Sequence, residues 1–299
     1  MQALWMLVAS LMFALMGAGV KFASDQGTAL GLIVLARGLP SVVLILVWAL
    51  LTHHSLKPTS VRLHIQRNIF GSTALWLVFF SYGFLPLASA TSLNYTSSLF
   101  IGAWVIYQAG RGQRDMWRLL AVLLGFLGVL LILRPSITEE QWIGALAGLG
   151  SGFFASIAMF QIKSLGQVGE PVWRTVFYFS IVICLTGLIA VQKQDVLALG
   201  LSSTITLLGV GVFGMLGQLC MTQAYGAGSP MLAAVLQYST IIFAALIGIV
   251  IWDTIPDIWA WLGMGLIIFA GVFSAWRTMQ QNRLSKPVDH SPSRETVVK

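Results

Sequence analysis

Phe84-Leu-Pro-Leu-Ala-Ser-Ala-Thr-Ser-Leu-Asn-Tyr-Thr-Ser-Ser-Leu-Phe100 occurs twice in this chain, the second time as Ala224-Tyr-Gly-Ala-Gly-Ser-Pro-Met-Leu-Ala-Ala-Val-Leu-Gln-Tyr-Ser-Thr-Ile-Ile-Phe243. The two belong to a longer match, in which Tyr82 to Leu130 aligns without a gap on Tyr225 to Phe273 at a constant offset of 143 positions. Tyr82 meets Tyr225, Leu93 meets Leu236, Tyr95 meets Tyr238, and Asn94 opposite Gln237 preserves an amide. Self-similarity at one long offset marks a duplicated structural unit. Lys21 falls opposite Lys163 at nearly the same offset, so the duplication is expected to cover each half of the chain.

Outward from this segment the chain is almost continuously apolar. It is 57% hydrophobic and 9% charged over 299 residues, with a mean hydropathy of +0.85, whereas a soluble domain is about a quarter charged. A hydrocarbon core roughly 30 Å thick takes about 20 apolar residues per helix. Runs of that length stand at 4–23, 29–51, 68–85, 88–107 and 117–134, then at 143–163, 174–192, 205–225, 231–251 and 257–276. The expected fold is an all-α integral membrane protein of ten transmembrane helices. Five helices per half is odd, so the second copy enters the membrane from the opposite side, and the halves form inverted five-helix repeats. Their bounds are 1–135 and 136–276, followed by a polar tail at 277–299 expected to be disordered and cytosolic.

The duplicated segments, each followed by a helix ending near Gly128 or Gly271, resemble the EamA domain of the drug/metabolite transporter superfamily. That resemblance implies two EamA domains, ten helices, cytosolic termini and transport of small metabolites or drugs. The family often carries an acid after its fourth and ninth helices. Asp253 matches in the second half, but Gly110-Arg-Gly-Gln-Arg-Asp115 offers none at the equivalent place.

Charge supports the same orientation. With the N-terminus in the cytosol, thirteen Lys and Arg residues fall on inside segments, Arg62, Arg67, Arg111 and Arg174 among them, against Lys21, Arg134 and Lys193 outside. Cytosolic segments are enriched in this way by the mechanics of insertion. A multi-pass protein of a bacterial-type inner membrane, in contact with lipid, is expected. The net charge of +7 sits at helix ends and in the tail rather than in a basic stripe, so nucleic acid is not an expected partner. Cys184 and Cys220 lie inside apolar runs without metal-ligand spacing, and no Gly-Lys-Ser/Thr phosphate loop occurs, so neither a metal nor another cofactor is expected.

Few residues could carry chemistry. His53, His54, His64 and His290 lie in the second loop or the tail, and no Asp or Glu falls in the middle of an apolar run, which disfavours an intramembrane proton relay. Arg37 is the one charge well inside a span. It is either an electropositive cavity wall or an arginine snorkelling to the interface. Pro40, three residues on, marks a kink or hinge, or a tolerated packing irregularity. Amides in hydrocarbon face the bundle interior, where they bind each other or a ligand. The candidate substrate-binding set is therefore Asn94, Tyr95, Gln237 and Tyr238, with Arg37 and Gln218, and Trp76, Tyr82 and Tyr225 as further wall residues. Gly144-x-x-x-Gly148-x-x-x-Gly152 is expected to pack closely against another helix, within the monomer or across a homodimer.

These features describe a secondary transporter, not an enzyme, moving an amino-acid-like or amphipathic aromatic solute by alternating access. The alternatives are an intramembrane lipid-modifying enzyme, whose nearest constellation is the loop holding His53, His54, Lys57 and His64, and a non-transporting sensor subunit. Solute, direction, coupling ion and oligomeric state remain open at this level.

Overall fold

A computed structural model describes residues 2–108, 116–132, 139–197, 199–227 and 236–284. Among them all regular structure is helical: α1 (Gln2–Asp25), α2 (Leu30–Leu51), α3 (Val61–Phe84), α4 (Leu87–Asn94), α5 (Ser97–Gln108) and α6 (Met116–Ile132) in the first half. The second half holds α7 (Glu139–Gln167), α8 (Val172–Ala190), the short α9 (Lys193–Leu197), α10 (Leu201–Ala227), α11 (Ser239–Trp252) and α12 (Ile258–Leu284). Five stretches, in α1, α2, α7, α8 and α10, are long and apolar enough to cross a membrane.

The distribution of side chains is that of a protein solvated by lipid. Leu44, Leu50, Ile189 and Val250 stand on the outer surface, while Ser10, Ser41, Ser81, Ser92, Thr96, Ser151 and Ser180 are buried. Without water to drive large apolar groups inward, small and weakly polar residues occupy the helix interfaces. Gly144, Gly148 and Gly152 show the effect: a Cβ on them would strike Phe84, Leu93 and the carbonyls of Leu93 and Asn94. That glycine stripe packs α7 onto the end of α3 and the α4–α5 junction inside the monomer.

Helix pairing follows a pattern. α1 lies along α10 and α3 along α7; α2 pairs with α8 and α6 with α12. α1 also touches α11, as α7 touches α4 and α5, and α10 touches α2 as α3 touches α8. When every helix is exchanged for its sequence counterpart, the α2–α8 and α6–α12 pairs map onto themselves and each of the other contacts becomes another of them. The turns agree: Gly27 after α1 and Gly169 after α7, 142 positions apart, both take φ of 75°, a left-handed conformation nearly free of strain only for glycine.

Three features depart from the sequence reading. The expected fourth span, 88–107, is broken at Tyr95 and Thr96 into α4 and α5. α3 begins at Val61, several residues before the expected 68, which draws Arg67 out of the cytosolic loop and into the buried interior. α12 runs on to Leu284, so the segment expected to be disordered from residue 277 is helical for its first eight residues. No proline interrupts that stretch before Pro287, and its polar side chains allow the helix to continue past the apolar run. Residues 109–115 and 228–235, which hold the first-half acid position and the start of the second repeat segment, lie outside the described residues.

Candidate functional site

The break at Tyr95 is built from local chemistry. Leu93, Asn94, Tyr95 and Thr96 correspond to Leu236, Gln237, Tyr238 and Ser239 at the offset of 143. Thr96 Oγ1 donates to the Leu93 carbonyl at 2.6 Å, and Ser239 Oγ donates to the Leu236 carbonyl, also at 2.6 Å. The Leu93 carbonyl also takes the Thr96 amide at 3.2 Å, so Thr96 closes back on one acceptor with both its amide and its hydroxyl. Irregular backbone survives inside a membrane protein only where such partners exist or where it lines a cavity. Both conditions hold here.

Each junction is held by the opposite half. Asn94 Nδ2 donates to Ser151 Oγ on α7 at 2.8 Å, and Ser10 Oγ on α1 donates to the Leu236 carbonyl at 3.3 Å. The Tyr225 hydroxyl donates to Gln237 Oε1 at 2.6 Å.

Between the junctions lies a cavity of about 140 Å³ whose walls come from both halves: α1, α2, α3 and α5 on one side, α7, α8, α10 and α11 on the other. Arg37, Tyr82, Asn94, Tyr95, Gln218 and Gln237 all line it. Tyr225 and Tyr238 line a smaller neighbouring space of about 20 Å³, which shares Tyr95 and Gln237 with the first. Trp76 lines neither. Its indole Nε1 donates to Thr186 Oγ1 of α8 at 3.1 Å, so it ties α3 to α8 rather than serving as a cavity wall.

Arg67 is the lining residue that sequence reasoning missed. It is 3% exposed and Arg37 1%, and in each case Nε and Nη1 have no hydrogen-bond partner. Both guanidiniums rest against glycine. Arg67 folds back over Gly71, one turn along α3, where any Cβ would overlap its Nη1. Arg37 lies on Gly214 of α10, where a Cβ would come within 2.7 Å of its Cζ. Gly71 and Gly214 are 143 positions apart, so the duplicated unit has the same indentation in both copies. The Arg67 guanidinium also sits 4.1 Å from the ring centroid of Phe179, a cation–π contact. A glycine one turn after an arginine, repeated as a glycine at the offset, was the available signal.

Pro40 does not end α2, which is helical from Leu30 to Leu51. Having no amide hydrogen, Pro40 leaves the Ala36 carbonyl without its helical donor. Gly211 of α10 approaches that carbonyl and the proline ring so closely that a Cβ there would collide with both.

At one end of the bundle the loop after α2 is clamped to the start of α8. Glu170 accepts from the Thr59 amide at 2.8 Å and from Arg174 Nη1 at 3.1 Å, with His64 Nε2 at 3.4 Å. Burial alone would push its carboxyl up, but these donors outweigh burial and hold it below the ordinary carboxylate value. Arg174 Nη2 donates to the Ser55 carbonyl, and the Tyr178 hydroxyl to that of Leu56. His64 is thus part of a structural clamp, and His54 stacks on Trp48 with ring centroids 4.8 Å apart. At another point, Asp25 accepts from Lys21 and from the Trp252 indole, joining the ends of α1 and α11.

The cavity is walled by helices from both halves of the chain, and the sequence comparisons point to transport. Residues 142–276 match the EamA-like transporter family. A pseudopaline exporter of Pseudomonas aeruginosa is 30% identical over 88% of this chain and 92% of its own length. The chain belongs to the EamA-like transporter family. Other relatives are a riboflavin transporter of Vibrio cholerae, 26% identical over 94% of this chain and 95% of that protein, and human solute carrier family 35 member G1, 26% identical over 73% and 63%. A crystal structure covering 94% of this chain and 98% of its own superposes with a TM-score of 0.61 at 16% identity, a likeness of fold. This EamA chain is therefore a multi-pass membrane transporter with a small-molecule solute.

Proposed function

We propose that the chain is a secondary carrier that moves a small organic solute by alternating access between two inverted five-helix repeats, residues 1–135 and 136–276, with both termini in the cytosol of a bacterial inner membrane. The observation that carries the reading is the cavity placed between the break at Tyr95 and the turn at the matching Tyr238, and walled by both halves of the chain. Near-equivalent halves give a bundle two packings of similar energy, one open to each side, around a fixed central site. The exchange of helix pairings between the halves, the matched Gly27 and Gly169 turns and the matched hydroxyl bonds at the breaks support the inverted repeat. The reading as a carrier rather than an enzyme rests on the relatives' names.

Accessibility from the two membrane faces tests it. In a variant with Cys184 and Cys220 replaced, a single cysteine at Gln218 is expected to react with impermeant thiol reagents from both faces in turn, with solute shifting the balance. Reaction from one face only, whatever is added, would contradict alternating access.

A further inference from the structure

Resting on that reading of the cavity as the transport site, we infer that its solute is a small organic oxyanion, a carboxylate or phosphate ester, bound between the guanidiniums of Arg37 and Arg67 and the amide of Gln218. Two cations occupy one cavity, both almost fully buried, and among the described residues no Asp or Glu lines it. The nearby acids are engaged elsewhere, Glu170 by Thr59, Arg174 and His64, and Asp25 by Lys21 and Trp252. An uncompensated buried charge is strongly unfavourable, and a second like charge beside it more so. The π face of Phe179 covers one side of Arg67 but offers no hydrogen-bond acceptor.

The unmet groups on its wall are Nε and Nη1 of Arg37, Nε and Nη1 of Arg67 and Nε2 of Gln218, which only donate, and the Thr240 hydroxyl, which can donate as well. Water could accept from them but would bring no charge. An oxyanion supplies both, because the planar guanidinium fork matches the paired oxygens of a carboxylate or phosphate. The rest of the wall is Phe13, Met16, Phe79 and Met159 with the amides of Asn94 and Gln237, which suits an organic body rather than a bare inorganic ion. The matched glycines at 71 and 214 give each guanidinium its place against a helix backbone.

The test uses the full-length protein in detergent and pairs that differ in charge: succinate against succinamide and glutarate against glutaramide, which are equal in size, and glycerol phosphate against glycerol, which lacks the phosphate. The acids are expected to raise the melting midpoint and the neutral partners to leave it unchanged, since a ligand stabilises by mass action. Preference between the dicarboxylates and the phosphate ester settles which oxyanion the site takes. Arg37→Gln and Arg67→Gln are expected to weaken the acids roughly tenfold or more, the cost of a lost charged contact. Arg37→Lys and Arg67→Lys, which keep the charge and lose the fork, keep a reduced shift and carry the test if the Gln variants are not recovered. Neutral partners as effective as the acids, no acid effective at millimolar concentration, or an acid shift undiminished in the arginine variants would each overturn the inference. Acids that bind through both arginines yet do not cross proteoliposomes would leave the anion site standing and remove the carrier reading.

Discussion

Tyr225 gives its hydroxyl hydrogen to Gln237 at 2.6 Å, so two of the residues expected to meet a solute meet each other instead. The bond fixes which way the Gln237 amide points. Tyr225→Phe keeps the ring and releases the amide. Solute KM is expected to rise several-fold with little change in maximal flux, and the melting midpoint to fall by no more than the loss of one hydrogen bond, about 1 kcal/mol. Flux titration in proteoliposomes, run beside a melting curve, separates the two effects.

Asn94 and Gln218 both line the cavity, but their surroundings differ. Asn94 is bonded to Ser151, whereas Gln218 Nε2 has no partner. Asn94→Ala should lower both flux and stability, the latter by about 1 kcal/mol, or about 2–4 °C in the midpoint. Gln218→Ala should lower flux alone. Equal destabilisation by the two would assign Gln218 to packing.

The glycines under the arginines can be examined by a double-mutant cycle. Gly71→Ala is expected to cost on the order of 1–3 kcal/mol by overpacking. The cost should vanish in the presence of Arg67→Ala, which removes the side chain the new methyl would strike. Gly214→Ala should behave the same way with Arg37→Ala. Additive losses would show that the glycines serve the helix contacts rather than the guanidiniums.

The clamp at Glu170 has a pH signature. Its carboxyl is held below the ordinary value by the Thr59 amide, Arg174 and His64 acting against burial. A depressed carboxyl stabilises the fold above its free value, and that contribution is lost as pH falls through the native value. Wild-type melting should therefore drop as pH is lowered below about 5, and Glu170→Gln should start lower, by about 1–2 kcal/mol, and fall less steeply. Curves that stay parallel at acid pH would show that the clamp does not titrate.

The helical, membrane-bound character of the chain and the placement of six of the nine candidate residues around one cavity follow from features visible in the sequence, because hydropathy and buried amides leave strong patterns. The helix break was hidden, since Leu93 to Ser97 sits inside an unbroken spanning-length run, and the hydroxyl bond across three residues found there recurs inside a continuous helix at Ser151 and Ser156 of α7. Arg67 was hidden for a different reason. Arg62, His64 and Arg67 read together as a polar loop, and only the folded chain shows Phe179 and Gly71 making room for a charge. Trp76 had the composition of a wall residue but found Thr186 first. Glu170 sits in a short turn, and two of its three partners, Thr59 and His64, are more than a hundred positions upstream, beyond the reach of any local pattern.

The crossed bonds at the two junctions bear on how the chain comes to be made. Ser151, which holds Asn94, is synthesised after the helix pair it steadies, and Leu236 arrives long after Ser10. During synthesis the first junction must therefore wait in the bilayer with its amide unclaimed until the second half is inserted. Neither half, expressed alone, would present the clasp its own break depends on, whereas the two expressed together as separate polypeptides could each supply what the other is missing.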